Sequence, residues 1–264
     1  MMRKVFIGIA FLVFPMMLVG FPNLAQSSRL PFRQDAKKAG VTGREFTFTR
    51  LEYDSYRRGR GRGQSWMVDW PKADEQFIVG LRGWVQSLLP ISDKPATVAI
   101  DDPALFTYPF IYVVEPGGME LSDEDAKHLR EYLLRGGFLM LDDFWGEWAW
   151  QNVRTQLNKV VPEYQIHELT LDHPVFHCYF DITNVVQVPN FHNWVNNGQT
   201  SEGDGIIPSY EGIQDENGRL LVFIARNSDN GDAWEWIEQP SYPLRYGLAA
   251  YRLGMNLIVY SMTH

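Results

Sequence analysis

Between residues 46 and 160 the sequence alternates short apolar runs with longer amphipathic segments, and this alternation constrains the fold more than any other feature. The short runs are rich in aromatic and β-branched residues, which predicts strands. The longer segments repeat their apolar residues at helical spacing, as Phe77, Leu81 and Trp84 do. Strands that alternate with helices of about a dozen residues favour a mostly parallel sheet between two helical layers. We therefore predict a three-layer α/β fold.

The boundaries of the elements follow from local signals. Ser122 and Asp125 form a capping pair, and Gly136 with Gly137 forms a stop, so a helix is expected between them. The second half of the chain is less regular, and a turn at 215–218 feeds its one clear strand. Strands are predicted at 46–53, 97–100, 110–114, 138–141 and 219–224, and helices at 71–89, 122–135, 147–160 and 244–262. The runs at 97–100 and 110–114 are short and mostly apolar, which predicts strands buried on both faces.

The first 27 residues have the order of a secretory signal. Arg3 and Lys4 precede an apolar run at 5–19, and a stretch of small and polar residues follows up to Ser27. We predict cleavage after Ser27 and an exported, periplasmic protein. The alternative is an uncleaved anchor in the inner membrane facing the periplasm, although the run is shorter than the roughly 20 residues of a spanning helix.

Residues 28–45 lack a sustained apolar period and are interpreted as a linker, and residues 46–264 as one α/β domain. The formal charge is −8 and becomes −10 without the two basic residues of the signal segment. An acidic surface argues against binding to nucleic acid. The single cysteine, Cys178, cannot form an internal disulfide and is expected to be a buried thiol.

Two acid pairs directly follow predicted strands. Asp101 and Asp102 come after the strand at 97–100, and Asp142 and Asp143 after the strand at 138–141. Ligands of open α/β sheets bind in the crevice at the carboxyl ends of the strands, where both pairs are expected. Crowded carboxylates raise one another's proton affinity, which suits acid–base chemistry or a hard cation. Capping of the next turn is the alternative role of these residues.

Tryptophans and acids also occur together at two places. Trp145 and Glu147 follow the second acid pair, and a second group lies at 229–236. Indole faces stack on sugar rings and carboxylates accept hydrogen bonds from hydroxyls, although the same composition is typical of a helix packed on a sheet. The ligand-binding candidates are Asp101, Asp102, Asp142, Asp143, Trp145, Glu147, Glu211, Asp229, Asp232 and Trp234. Asp142, Asp143 and Glu147 are also the catalytic candidates.

An arginine-rich segment follows the first strand, with glycines at alternate positions, and is expected to be a mobile loop. It could bind phosphate, acidic glycan or lipid headgroups, or it could be a solvated loop. It lacks the Lys-Ser or Lys-Thr ending of a nucleotide-binding loop. Its anion-binding candidates are Arg57, Arg58, Arg60 and Arg62.

His173 and His177 are spaced four residues apart, as metal ligands on a helix would be. Pro174 argues against a regular helix there, so we expect no metal at these imidazoles and no cofactor elsewhere. The sequence also contains no Gly-x-Ser-x-Gly, His-Glu-x-x-His or Cys-x-x-Cys motif.

Six segments occur in a characteristic order, namely Phe46–Tyr53, Trp66–Pro71, Leu105–Tyr112, Gly136–Asp143, His173–His177 and Tyr251–Asn256. Together they resemble the bacterial domain-of-unknown-function family 4159. The resemblance implies an exported or membrane-associated bacterial protein with a flavodoxin-like fold similar to class I glutamine amidotransferases and trehalose-utilisation proteins. It implies no amidotransferase activity, because Cys178 lacks the glycine-rich strand-to-helix elbow of that nucleophile.

These observations lead to three functional hypotheses. In the first, the domain binds a glycan or another small polar, polyhydroxyl ligand at the acid pairs. In the second, the same carboxylates serve a hydrolase, metal-assisted or not, that acts on carbohydrate of the cell envelope. In the third, the domain is a scaffold that docks an envelope protein partner, with the membrane contacted only through residues 1–27 if they are uncleaved.

Overall fold

The computed structural model describes residues 45–57, 61–63, 65–85 and 89–264. The expected signal segment and almost all of the linker lie outside these residues, as do Arg58 and Arg60. Within the described part of the chain, no helix is both long enough and apolar enough to cross a membrane.

The strands and helices follow one another in the order that the sequence predicts for its first half. The strands are β1 Thr49–Glu52, β2 Ser55–Arg57, β3 Gly61–Gly63, β4 Ala96–Ala99, β5 Phe110–Val114, β6 Phe138–Asp142, β7 Ile166–Glu168, β8 Ser209–Gln214 and β9 Leu220–Arg226. The helices are α1 Lys72–Val85, α2 Asp123–Leu134, α3 Gly146–Val160, α4 Phe191–Asn197, α5 Asn230–Glu235 and α6 Leu244–Thr263.

Seven of these strands form one sheet in the order β4-β1-β5-β6-β9-β8-β7. The pairs from β4 to β9 are parallel, whereas β8 pairs antiparallel with β9 and β7 pairs antiparallel with β8. The mostly parallel α/β sheet flanked by helices is therefore confirmed. The carboxyl ends of β5, β6 and β9 consequently lie side by side at the same edge.

The sheet separates two apolar cores, because successive side chains of a strand point to opposite faces. In β5, Phe110 and Tyr112 belong to one core, with residues of α1, α5 and α6. Ile111 and Val113 belong to the other core, with residues of α2 and α3. All five residues of β5 are buried, as the sequence predicts.

Two predictions about the strands are wrong. The strand β4 is not buried on both faces: it forms an edge of the sheet, and only Val98 of its four residues is buried. The arginine-rich segment is not a loop throughout, because β2 and β3 pair antiparallel, with Tyr56 opposite Arg62.

The helix signals were more reliable than the strand signals. Ser122 and Asp125 form a complete capping box at α2, and Gly136 follows that helix at φ 106°. The predicted helices at 147–160 and 244–262 correspond to α3 and α6 within a residue at each end. The elements β7, β8, α4 and α5 were not predicted, since each lies in the half of the chain without regular periodicity.

Candidate functional site

Four residues with left-handed backbone meet near the carboxyl ends of the central strands. Glu115, Asp143 and Asn227 each follow a strand by one residue, at φ 48°, 54° and 55°. Asp69, in the turn before α1, has φ 62°. Across the described ranges these are the only non-glycine residues with positive φ. Such residues are uncommon and concentrate at functional sites, which directs attention to this edge of the sheet.

Asp142, the last residue of β6, is fully buried and fixes the start of α5. Its carboxylate accepts hydrogen bonds from Tyr112 Oη (2.8 Å), from the Gly231 N–H (3.1 Å) and from both the N–H (3.0 Å) and Nδ2 (2.7 Å) of Asn230. Burial raises the pKa of Asp142 to about 6, and hydrogen bonds from Asn230 and Tyr112 oppose that rise. Asp142 is therefore a positioning residue beneath the site.

Asp229 and Asp232 lie at the same end of α5 and are also buried. Asp229 caps the helix, with its Oδ1 accepting from the Asp232 N–H at 2.8 Å. Asp232 Oδ2 accepts from Asn190 Nδ2 and from the Phe191 N–H, both at 2.7 Å. These bonds hold the two carboxylates against the start of α4.

Asp69, in the turn before α1, lies close to the same two carboxylates. A Cβ at Gly231 would lie 3.2 Å from Asp69 Oδ2 and 3.6 Å from Asp229 Oδ1, so the absence of a side chain there lets the two acids approach. Asp69 Oδ2 is inaccessible to solvent and has no hydrogen-bond partner among the described residues. We call Asp69, Asp229 and Asp232 the acid cluster.

The acid cluster is the group of described residues that could hold a metal ion. Asp69, Asp229 and Asp232 each offer a carboxylate oxygen, and these oxygens lie within 4.8 Å of one another. An all-carboxylate set suits a hard divalent cation.

Arg50 of β1 stabilises the turn that contains Asp69. Arg50 is fully buried and forms an ion pair with Asp74 of α1. Its Nη1 also donates to the carbonyl oxygens of Trp66, at 2.9 Å, and Val68. Arg50 thus fixes the residues immediately before Asp69. Its ion-pair partner is Asp74, and its charge also opposes the rise in the pKa of Asp69.

The carboxylates of this edge hold their protons unusually tightly. Burial, followed by the charges of Asp232 and Glu235, raises the pKa of Asp69 to about 8. Burial raises the pKa of Asp143 well above its usual value, and the charge of Glu115 adds to that rise. The pKa of Asp229 is raised well above its usual value by burial and then by Asp143. Several of these groups therefore remain protonated near neutral pH.

A cleft of about 380 Å³ opens beside Glu115 and Asp143. Its carboxyl groups are those of Glu115, Asp143 and Glu202, and its aromatic walls include Trp145 and Trp148. Trp145 Nε1 donates to Asp143 Oδ1 at 3.0 Å, which fixes one indole against one acid. The cleft also includes Tyr56, Ser65, Val68, Gly117, Gly118, Phe144, Ala149 and Asn190. Its volume is within the range of small-molecule sites.

The structure separates the two acid pairs that the sequence analysis placed together. Asp101 and Asp102 follow β4, and the strands β1 and β5 lie between β4 and β6. Three strand spacings amount to about 14 Å. Both aspartates are exposed, and Asp102 Oδ1 caps a 3₁₀ turn by accepting from the Ala104 N–H at 2.8 Å. They are not among the residues of the cleft.

Three further candidates have structural contacts away from the cleft. Trp234 is fully buried, with its ring 4.3 Å from that of Phe77, so no ligand can stack on it. Glu147 is exposed and forms an ion pair with Arg226 at 3.1 Å. Glu211 is buried on β8 and accepts from Ser209 Oγ at 2.8 Å.

The histidines do not form a pair. His173 Nδ1 accepts from the Val175 N–H at 3.2 Å. The His177 ring nitrogens instead lie 3.1 Å from Asp181 Oδ1 and 2.7 Å from the Leu171 carbonyl oxygen. Both rings are occupied by local contacts. Of the arginines, Arg57 and Arg62 lie in the β2–β3 hairpin, and Arg58 and Arg60 are outside the described residues.

Cys178 is partly buried, and its Sγ lies 3.1 Å from the Asn256 carbonyl oxygen. Burial raises the pKa of this thiol to about 11, so it stays protonated. The sequence predicts a buried thiol, and the structure differs in that Cys178 is only partly buried.

Sequence reasoning missed Asp69, Glu115, Asn190 and Glu202. Glu115 directly follows β5, so the rule that identified Asp143 would also have found it. Asp69 lies in a turn two residues before Pro71, and Asn190 and Glu202 lie in irregular segments, where no periodic signal exists.

Comparison with known proteins gives one result. No curated protein has significant similarity to the chain. The domain of unknown function DUF4159 matches residues 47–262, from just before β1 to the last residue but one of α6. The match covers most of the sequence and the whole edge that carries the cleft, and the chain therefore belongs to the DUF4159 family.

Proposed function

We propose that the domain binds a hydroxyl-rich ligand, a glycan or a related polyol, in the cleft beside Asp143. The observation that carries this proposal is the combination of aromatic walls and acidic groups in one cavity. Trp148 is 46% exposed and Tyr56 is 45% exposed, so both offer ring surface to a ligand. Aromatic rings with adjacent polar groups suit a compound that has apolar faces and polar edges, as sugars do.

The acids of the cleft supply both kinds of hydrogen bond that hydroxyl groups need. An ionised carboxylate accepts from a hydroxyl, and a protonated one donates to it. Burial raises the pKa of Asp143 well above its usual value, which leaves a protonated acid available as a donor, and burial also raises the pKa of Glu202. Asn190 adds an amide to the same wall, and that amide is oriented by Asp232.

Titration calorimetry with a panel of neutral and acidic oligosaccharides, including soluble fragments of bacterial envelope glycans, tests the proposal. We expect Trp148→Ala to weaken binding at least about tenfold, equivalent to about 1.4 kcal/mol. Trp84→Ala is the matched control, because Trp84 is 43% exposed but lies on α1, outside the cleft. The proposal is wrong if no oligosaccharide binds, or if the two variants lose affinity equally.

We propose in addition that the sheet has the class I glutamine amidotransferase-like arrangement. This proposed arrangement is supported by helices on both faces of the sheet and by the strand-to-helix elbow at Asp143. The elbow carries an aspartate instead of a cysteine. Moreover, the Gly146 and Glu147 N–H groups already donate to Asn227 Oδ1 (2.9 Å) and Asp204 Oδ2 (3.0 Å). Amidotransferase activity is accordingly not part of the proposal, and a glutaminase assay should give no ammonia.

We also propose that the chain is exported and works in the periplasm, on the basis of the charged, apolar and small-residue order of residues 1–27. Glycans of the envelope would then be accessible to the cleft. Cell fractionation with N-terminal sequencing should give a periplasmic protein that begins near Ser28. A cytoplasmic protein that retains Met1 would exclude this location.

A further inference from the structure

Glu115 and Asp143 occupy equivalent positions on adjacent strands. The strands β5 and β6 are parallel and in register, with Val114 opposite Asp142, and the Glu115 N–H donates to the Asp142 carbonyl oxygen at 3.0 Å. Glu115 and Asp143 are the next residues, so their backbones are neighbours at the usual strand spacing of about 4.8 Å. The two side chains therefore start from adjacent points of the cleft wall.

Both residues leave their strands in the same unusual conformation. Glu115 has φ 48° and Asp143 has φ 54°, which turns each side chain out of the regular alternation of its strand. Both side chains line the same cleft as Trp145 and Trp148. Asp143 is additionally held by its hydrogen bond from Trp145 Nε1. A rigid acid, a neighbouring carboxylate and a cavity that admits a ligand are thus present together.

From this geometry we propose that Glu115 and Asp143 are an acid–base pair that hydrolyses glycosidic bonds, with Asp143 as the proton donor. The proposal rests on the proposed function, since it takes the hydroxyl-rich ligand of the cleft as substrate. Glycoside hydrolysis typically uses two carboxyl groups that flank the scissile bond, one of which keeps its proton and acts as the acid.

The reaction needs only water as co-reactant. Asp143 gives its proton to the glycosidic oxygen, and the bond from that oxygen to the anomeric carbon breaks with its electron pair going to the oxygen. A water molecule attacks the anomeric carbon and transfers a proton to the Glu115 carboxylate. Loss of that proton to solvent and its regain by Asp143 restore both groups.

The protonation state of Asp143 agrees with its role as donor. Asp143 is 9% exposed, and its pKa is raised by burial first and by the charge of Glu115 second. Asp143 therefore keeps its proton until the pH rises well above the usual range of an aspartate. Loss of that proton predicts an alkaline limb in the dependence of kcat/KM on pH.

The test uses the full chain and the oligosaccharides that bind to it in calorimetry. Reducing ends released from each bound oligosaccharide are counted, and wild-type protein is compared with Asp143→Asn and Glu115→Gln. We expect each variant to keep binding within a few-fold and to lose turnover by about 10²–10⁴-fold. Asp101→Asn, an exposed acid outside the cleft, is the matched control and should retain full turnover.

The outcomes separate this proposal from the binding function. Binding without any release of reducing ends by the wild type overturns the acid–base pair and leaves the proposed function intact. Turnover that survives Asp143→Asn overturns the role of Asp143 as donor. Absence of binding by every oligosaccharide overturns both proposals. Retained binding, lost turnover and loss of the alkaline limb of the pH profile in Asp143→Asn together support the pair.

Discussion

The pair Arg50–Asp74 and the acid cluster are two neighbouring groups of buried charge that the molecule handles in opposite ways. Arg50 is surrounded by acceptors, namely Asp74 and the carbonyl oxygens of Trp66 and Val68. By contrast, no salt bridge from a described basic residue reaches Asp69, Asp229 or Asp232. Burial of an unmatched charge is costly unless a proton or an added ligand compensates it. The charge of Arg50 is thus compensated by an ion pair, whereas the acids of the cluster are compensated by bound protons.

The largest expected effect comes from breaking the pair. Arg50→Met should lower the free energy of unfolding by about 3–5 kcal/mol, because it leaves Asp74 buried without its cation. Urea denaturation at pH 7 measures this loss. Arg50→Met combined with Asp74→Leu should recover much of it. A loss below about 1 kcal/mol in the single variant would contradict the assigned role of the pair.

Removal of the acceptor beneath the cluster should have the next largest effect. Asp142→Ala leaves Tyr112 Oη and the N–H groups of Asn230 and Gly231 without their partner, at a cost of about 1–3 kcal/mol for such a loss. Asp142→Asn should cost less, because its amide oxygen still accepts. Thermal unfolding of the two variants gives the comparison, and equal losses would argue against the hydrogen bonds as the cause.

Replacement of aspartate by asparagine should change the free energy of unfolding with opposite signs in the acid cluster and in the pair Arg50–Asp74. Asp69→Asn removes an unmatched buried charge and should raise the free energy of unfolding by about 1 kcal/mol at pH 8. Asp74→Asn leaves the buried Arg50 guanidinium without its counter-ion and should lower the free energy of unfolding, even though burial also raises the pKa of Asp74 to about 6. Denaturation of both variants in one buffer decides the sign, and destabilisation by Asp69→Asn would show that a counter-charge is already present.

The dependence of stability on pH sharpens the same contrast. The pKa of Asp69 is raised from 3.8 in the unfolded chain to about 8, so between those values the folded state holds more protons. Stability should therefore decrease as pH rises from about 5 to 8, with Asp69 contributing at most about 1.4 kcal/mol per pH unit. Asp69→Asn should show a shallower decrease. An unchanged slope would assign the protons to other groups.

The smallest effect is expected at a charge pair that solvent surrounds. Lys127 and Glu124 form an ion pair at 3.0 Å on the outer face of α2, and both side chains are about 70% exposed. Lys127→Ala should leave the melting temperature without a measurable shift, since exposed pairs contribute little. It is the reference against which the buried substitutions are compared, and a clear loss of stability would show that burial is not the deciding variable.

Local signals predicted the fold wherever one element could be recognised by itself. The capping box of α2 and the apolar run of β5 are of that kind, and both were placed correctly. The rule that acids after strands face the crevice also led to Asp143. This rule could not distinguish Asp143 from Asp142. The burial of Asp142 depends on α5, and no periodic pattern in the sequence predicts that helix.

Trp234 shows why the site could be predicted only in part. Tryptophan beside aspartate predicted a sugar-stacking surface, but a helix of six residues places neighbours on different faces. Asp232 consequently contacts Asn190, while Trp234 packs against Phe77 in the core. The sequence shows which side chains are available, but tertiary packing determines which of them face the cleft.

The position of β9 in the sheet has a consequence for the order of folding. β9 lies between β6 and β8, and Leu139 of β6 pairs with Val222, more than 80 residues later in the chain. During synthesis, β6 must therefore keep an open, apolar edge until β9 has emerged. Asp229 and Asp232 come later still. The acid cluster and its cleft are accordingly among the last parts to form, and a chain interrupted before β9 would expose an unpaired central strand.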